Sequence, residues 1–125
     1  MEKLQLGIIQ KRTKKLVGMV AAYNFNYFNR TCYVSCIFDQ KKKILNQLSL
    51  FKESQDLLFD HLFFKMNFRK IYAGVISKEL CLVSEKLWGF KKEGTYKKHA
   101  FVNGKYIDTF TLSLFREKWK GKSER

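Results

Sequence analysis

Proline is absent from this 125-residue chain, and no glycine occurs between Gly18 and Gly74. That gap excludes a glycine-rich phosphate loop over the middle of the sequence and leaves room for long uninterrupted elements. Cysteine is scarce and odd in number, three in all, which excludes a disulfide framework and points to a reducing compartment. On a strand, Cys32 and Cys36 of "TCYVSCIF" lie roughly 13 Å apart on one face. That exceeds the roughly 7 Å limit between the Cα atoms of a disulfide and is too far for two ligands of one zinc. Free buried thiols are expected, and no metal site. Long apolar runs are missing too. "LVGMVAAY" and "LLFDHLFF" are too short to span a bilayer, and Met1–Gln10 has no apolar core of a signal peptide. The expectation is a cytoplasmic protein with no membrane part. No P-loop, dinucleotide fingerprint, zinc-finger spacing or Ser/His/Asp arrangement occurs.

Acidic residues are few, 11 against 25 basic, for a formal charge of +14. Such a balance invites a polyanion: RNA, DNA, an anionic surface or a phosphorylated cofactor. The lysines nevertheless fall in scattered clusters, and abundant Lys, Asn, Phe and Ile without proline fits a nucleotide-composition bias. A nucleic-acid partner is therefore an alternative and not the favoured reading. The chain is rich in apolar residues, with twelve phenylalanines, and is long enough for a core of its own. Residues 1–119 are expected to form one domain and 120–125 a frayed basic tail.

"LQLGIIQ" and "LVGMVAAYNF" read as strands joined by the polar hairpin connection "KRTKK". "NFNYFNR" reads as a turn, and "TCYVSCIF" as a third antiparallel strand. From Ser49 the period changes. Phe51, Leu58 and Leu62, flanked by Leu57 and Phe64, form the apolar stripe of a helix ending near Asn67. Lys52, Glu53, Gln55, Asp56, Asp60 and Lys65 lie mostly on its other side. Ser49 is the expected N-cap, with Glu53 and Asp56 near the positive end. His61, between apolar residues, reads as a packing histidine. "KIYAGVI" is a fourth strand, Ser77 caps a second helix "KELCLVSEKLW", and Gly89 stops it. Asn103-Gly104 then joins two final strands in a hairpin. The strand–helix–strand crossover sets the third strand parallel to the fourth. The expected fold is α/β (α+β): a single mixed, mainly antiparallel sheet with one parallel β-α-β crossover and two main helices. Such sheets bind ligands where strand direction changes.

"NFRKIYAGV" followed by "SEKLWGFKKEGTYKKHAFVNGKYIDTFTLSLFREKW" resembles the GNAT superfamily of N-acetyltransferases. The likeness is greatest to the branch acting on ribosomal-protein N-termini and to nucleotide-amino-sugar acetyltransferases. Glu85, Lys86, Leu87, Gly89, Phe90, Glu93, Gly94, Gly104, Tyr106, Asp108, Glu117 and Trp119 fall into its pattern, over about Leu57–Trp119. The resemblance implies acetyl-CoA as co-substrate and transfer of acetyl to a primary amine, on a protein N-terminus or an amino sugar. Three departures accompany it. The family's glycine-bearing pyrophosphate loop aligns with "NQLSLF", putting Asn46, Ser49 and Phe51 at its key slots, where the Phe51 side chain would hinder a phosphate. Lys41, Lys42 and Lys43 would compensate by charge. The Tyr that often precedes Gly-Phe is missing, with Trp88 inserting one residue, and Ser77 or Lys78 stands where Asn often begins the second helix. The match also begins at the family's second strand, so the first strand and the two helices walling the acceptor pocket fall outside it. Either a second chain or a homodimer partner completes the sheet, or the site is open.

The implied chemistry needs an oxyanion donor and a proton path. Backbone groups of Ile37 and Phe38 are the expected donors. Asp39, Glu85 and His99 are the available bases, and Lys41, Lys42, Lys43, Asn46, Ser49 and Lys78 the expected cofactor contacts. Each also has a plain role as a turn, surface or solvated-loop residue. A non-catalytic GNAT-like module acting in protein assembly, and a basic RNA- or ribosome-binding domain, are the alternative functions. The transferase reading requires the third and fourth strands to splay into a wedge that admits a pantetheine arm.

Overall fold

The computed structural model describes residues 2–38, 47–119 and 121. In chain order the strands and helices are β1 (Lys3–Ile9), β2 (Leu16–Asn26), β3 (Thr31–Phe38), α1 (Leu48–Asp60), β4 (Lys70–Val75), α2 (Lys78–Trp88), β5 (Lys91–Val102) and β6 (Lys105–Phe115). A π-helical turn, His61–Lys65, extends α1, and a short 3-10 turn, Arg116–Lys118, follows β6. The six strands form one sheet in the order β1-β2-β3-β4-β6-β5. All neighbours are antiparallel except β3 and β4, as the sequence predicts.

Two crossovers run in one direction along the sheet, and the usual right-handed connection puts both helices on the same face. The side chains agree. Val20, Ala22, Cys32, Val34, Ile71, Leu112 and Leu114 alternate inward, beneath Phe51, Leu58, Phe59 and Leu62 of the α1 segment and Trp88 at the end of α2. The opposite face carries no helix among the described residues. Across it runs a row of tyrosines, Tyr23 on Tyr33 at 5.8 Å and Tyr33 on Tyr72 at 5.1 Å between ring centroids.

Local chemistry explains most element ends. Ser77 caps α2, its hydroxyl accepting the Leu80 N–H at 3.3 Å. Gly89, at φ 88°, closes α2 in a left-handed conformation that disfavours a β-carbon. Asn103 and Gly104 take φ 50° and 80°, the positive pair that a two-residue hairpin turn needs.

Several expectations are corrected. Strand β2 runs to Asn26, and the turn is confined to 27–30, where the Asn26 side chain accepts the Asn29 N–H at 2.8 Å. Ser49 is not the N-cap of α1: Gln47 is, with no side-chain cap bond. Asp56 does not serve the helix's positive end. It is buried, its Oδ1 accepting the Trp88 indole N–H at 2.7 Å and its Oδ2 facing the Lys52 ammonium at 2.8 Å. Gln55 is buried as well. One turn on, Asp60 accepts the Trp119 indole N–H at 2.8 Å. Two carboxylates spaced i, i+4 on α1 thus clasp the two tryptophans. Leu57 and Phe64 are exposed, while Phe59 and Phe63 are buried. The wider π turn brings both Leu62 and Phe63 under the sheet. His61 is exposed beside an apolar groove of about 710 Å³ between β1 and α1. Trp119, at the end of the expected domain, is buried against Phe59.

Candidate active site

The parallel ladder between β3 and β4 pairs Thr31 with Lys70, Cys32 with Ile71, Tyr33 with Tyr72 and Val34 with Ala73, and stops. Neither strand ends there. β3 continues along β2 as far as Phe38 opposite Gly18, and β4 continues along β6 as far as Val75 opposite Phe110. Adjacent strands that keep their outer partners and lose each other must diverge. A wedge opens between Ser35–Phe38 and Gly74–Val75. Within it, backbone N–H and C=O groups aimed at the lost partner have no strand to meet, and buried amides do not stay unpaired cheaply. Gly74 adds no side chain: a β-carbon there would meet nothing within 4 Å.

Elements on the helical face close the wedge from above. Phe51 and Gln55 point from α1 toward the sheet. Gln55 faces Cys36, whose thiol is pushed up to about 11 by burial, against a smaller opposing pull from the Gln55 side chain. At neutral pH that thiol stays protonated and is a poor nucleophile toward a thioester. Deeper in, burial raises the Cys32 thiol to about 12. All three cysteines are free. On the helix-free face, Tyr33 and Tyr72 sit at the wedge apex, one residue before the ladder ends. Beside them Lys70 pairs with Glu93 at 2.8 Å. The Glu93 carboxyl is held below its ordinary range by hydrogen bonds from Lys70 first and then from Ser113.

The residues proposed from the sequence distribute unevenly around this wedge. Ile37 and Phe38 form its β3 wall, with the Ile37 side chain 61% exposed. Ser49 lies exposed in the first turn of α1, and Lys78 is the exposed first residue of α2. Phe51 is the exception to the sequence reading. It turns into the core, edge-on to Trp88 at 5.1 Å, and is not presented to the helix terminus. Glu85 is exposed on α2, within electrostatic reach of Cys81. His99 lies on β5, the outer strand, where the β5–β6 register shifts between Tyr96 and Ala100, and its ring packs on Tyr96 at 5.0 Å. Glu85 and His99 therefore occupy separate surfaces, and β6 stands between His99 and the wedge. Asp39, Lys41, Lys42, Lys43 and Asn46 lie outside the described residues.

Sequence reasoning passed over Gln55 and the Tyr33–Tyr72 pair. Gln55 was visible as a polar residue four positions after Phe51, on the helix's apolar spacing. The tyrosines were visible only once pairing register was known.

A six-stranded sheet that splits between its parallel strands, with both helices on one face, defines an acyl-CoA-transferase type of fold. The chain belongs to the acetyltransferase (GNAT) domain family, whose model matches residues 6–111. It is 28% identical over 116 residues to the probable N-acetyltransferase YjcK of Bacillus subtilis. That match takes in 90% of this chain and 62% of YjcK, so the chain spans less than two thirds of that relative. Among solved structures, spermidine N-acetyltransferase SpeG of Vibrio cholerae (F149A mutant) superposes with TM-score 0.77 at 22% identity, covering 97% of this chain and 70% of SpeG. A second SpeG structure, the F149G mutant, gives TM-score 0.80 at 22% identity, covering 97% and 69%. At that identity the likeness is one of fold.

Proposed function

We propose that the protein is an N-acetyltransferase that moves acetyl from acetyl-CoA to a primary amine. The observation that carries this reading is the ladder between β3 and β4 ending at Val34 and Ala73 while both strands run on. Past that point the two strands no longer pair with each other, which leaves backbone groups able to meet an extended arm bearing amides. Acetyl-CoA supplies the activated acyl group. The chain's part is to hold that group still beside a neutral amine, and such placement alone accounts for much of the rate in transfers of this kind. Backbone N–H groups at Ile37 and Phe38 stabilise the charge that develops on the carbonyl oxygen. Ser49, Lys78, Asn46 and Lys41–Lys43 are the proposed contacts of the diphosphate end, and a helix N-terminus without a side-chain cap favours an anion. As the new C–N bond forms and the C–S bond breaks, coenzyme A leaves as its thiolate, and the amine proton, lost through water or Asp39, is returned to it to give the free thiol. Glu85 and His99 are the other proton acceptors proposed.

The acceptor is proposed to be a protein N-terminus or an amino sugar. With a formal charge of +14, the protein repels a polycation such as the spermidine that the SpeG enzymes are named for, and attracts an amine carrying acidic or phosphate groups. A second copy, or another chain, pairing along the β1 edge is the corresponding proposal for a partner.

Calorimetry with acetyl-CoA, followed by thiol release in a panel of amines, tests the proposal. Binding, with turnover of an acidic peptide or a nucleotide-linked amino sugar in preference to spermidine, is expected. No binding at millimolar acetyl-CoA by the folded chain refutes it.

A further inference from the structure

Gln55 presents an anomaly that the fold alone does not require. The residue is 4% exposed, on the sheet-facing side of α1, one turn below Phe51. Its side chain meets Cys36, which projects from β3 beyond the last β3–β4 pair and opposite Val20 of β2. Gln55 Oε1 is nonetheless buried with no hydrogen-bond partner among the described residues. Asp56, the next residue, and Asp60 both have their carboxylates engaged by indoles, so α1 otherwise satisfies its buried polar atoms. Apolar neighbours occupy the rest of this face: Phe51, Leu58 and Phe59. A leucine or methionine would fill the position without leaving an acceptor stranded in a nearly dry layer, where a lost partner is costly. Through its contact with Cys36, the orphan lies at the level of β3 two residues past the last β3–β4 pair.

We propose that Gln55 is a pantetheine-binding residue. Its side-chain carbonyl accepts an amide N–H of the extended arm entering between β3 and β4, while the rest of the side chain stays held against Cys36. This inference rests on the acetyl-CoA reading above and adds to it a specific contact from α1. Strand edges recognise an extended amide chain through backbone alone, so a side-chain acceptor facing them fixes how far the arm penetrates. It thereby fixes where the thioester stops.

The test compares wild type, Gln55→Leu and Gln55→Met by calorimetry with two probes, coenzyme A and adenosine 3′,5′-bisphosphate. The second probe lacks the pantetheine arm. Loss of one hydrogen bond predicts coenzyme A affinity about tenfold weaker in both variants, with bisphosphate affinity unchanged. Thermal stability is expected to be equal to wild type or higher, because the stranded acceptor is gone. Methionine, the more flexible replacement, keeps the test intact if leucine prevents folding. Coenzyme A affinity within twofold of wild type overturns the proposal. Equal weakening toward both probes also overturns it, because Gln55 would then be acting on the fold in general. Wild type that fails to bind coenzyme A at all is a different outcome: it removes the acetyl-CoA reading itself, and this contact with it.

Discussion

Replacing Trp88 with phenylalanine separates α1 from α2 at one defined point. The indole N–H donates to Asp56 Oδ1 at 2.7 Å, and the ring lies edge-on to Phe51 at 5.1 Å and Phe59 at 5.4 Å. Trp88 is 2% exposed and Asp56 1% exposed, so water does not replace what is lost. A hydrogen bond to a charged group contributes about 2 kcal/mol. The smaller ring leaves a void costing about 1 kcal/mol more. The remaining Lys52 partner, 40% exposed, offsets little of this. The sum, about 3 kcal/mol, corresponds to a fall in Tm of about 12 °C for a domain of this size. Thermal unfolding followed by circular dichroism measures it. Asp56→Leu combined with Trp88→Phe removes both polar partners. That double variant is expected to lose about 1.5 kcal/mol less than the sum of the single losses, since neither group is then left buried alone. A Tm drop below about 3 °C for Trp88→Phe, or strictly additive losses, would refute the account of this clasp.

Three other perturbations bear on the same fold. Gly74→Ile places a branched side chain on the helix-free face beside the mouth of the wedge, where a β-carbon meets nothing within 4 Å. It should keep Tm within about 3 °C of wild type but weaken coenzyme A binding at least about tenfold by blocking the arm. Ser77→Ala removes the hydroxyl that accepts the Leu80 N–H. A cost of about 1 kcal/mol is expected, read as a lower urea midpoint with unchanged slope. Alkaline unfolding should report the thiols. Burial raises Cys32 from the ordinary 9.0 to about 12, favouring the protonated form in the folded state. Stability from this group is therefore undiminished below pH 9 and declines as pH climbs toward 12, by up to about 4 kcal/mol. Urea midpoints at pH 8 and 10.5 should converge in Cys32→Ala relative to wild type, and a slope unchanged by that substitution contradicts the reading.

Much of the frame was legible from residue order because its signals are local. Ser77, Gly89 and Asn103-Gly104 act within three or four residues of themselves, through a cap, a left-handed stop and a two-residue turn. "TCYVSCIF" and the apolar "KIYAGVI" announced strands, and a helix between them dictated a parallel pair. Asp56 and Gln55 were misplaced because helical spacing treats polarity as a reason to face water. Here Asp56 meets an indole 32 residues further along the chain, a partner no window on the sequence contains. Phe51 was expected to obstruct a phosphate loop. Helix α1 begins at Leu48, earlier than that alignment supposed, and rotates the ring into the core.

The order of strands, the crossover and the turns were determined by the sequence itself, since each depends on backbone conformations that neighbouring residues prefer. Tertiary structure alone decided that the β3–β4 ladder stops at Val34 and Ala73, that three tyrosines align across an open face, and that the Gln55 side-chain oxygen is sealed in with no hydrogen-bond partner among the described residues. These depend on register and on which surfaces come to cover one another. Such relations join residues distant along the chain, so their energies appear only once the strands are side by side.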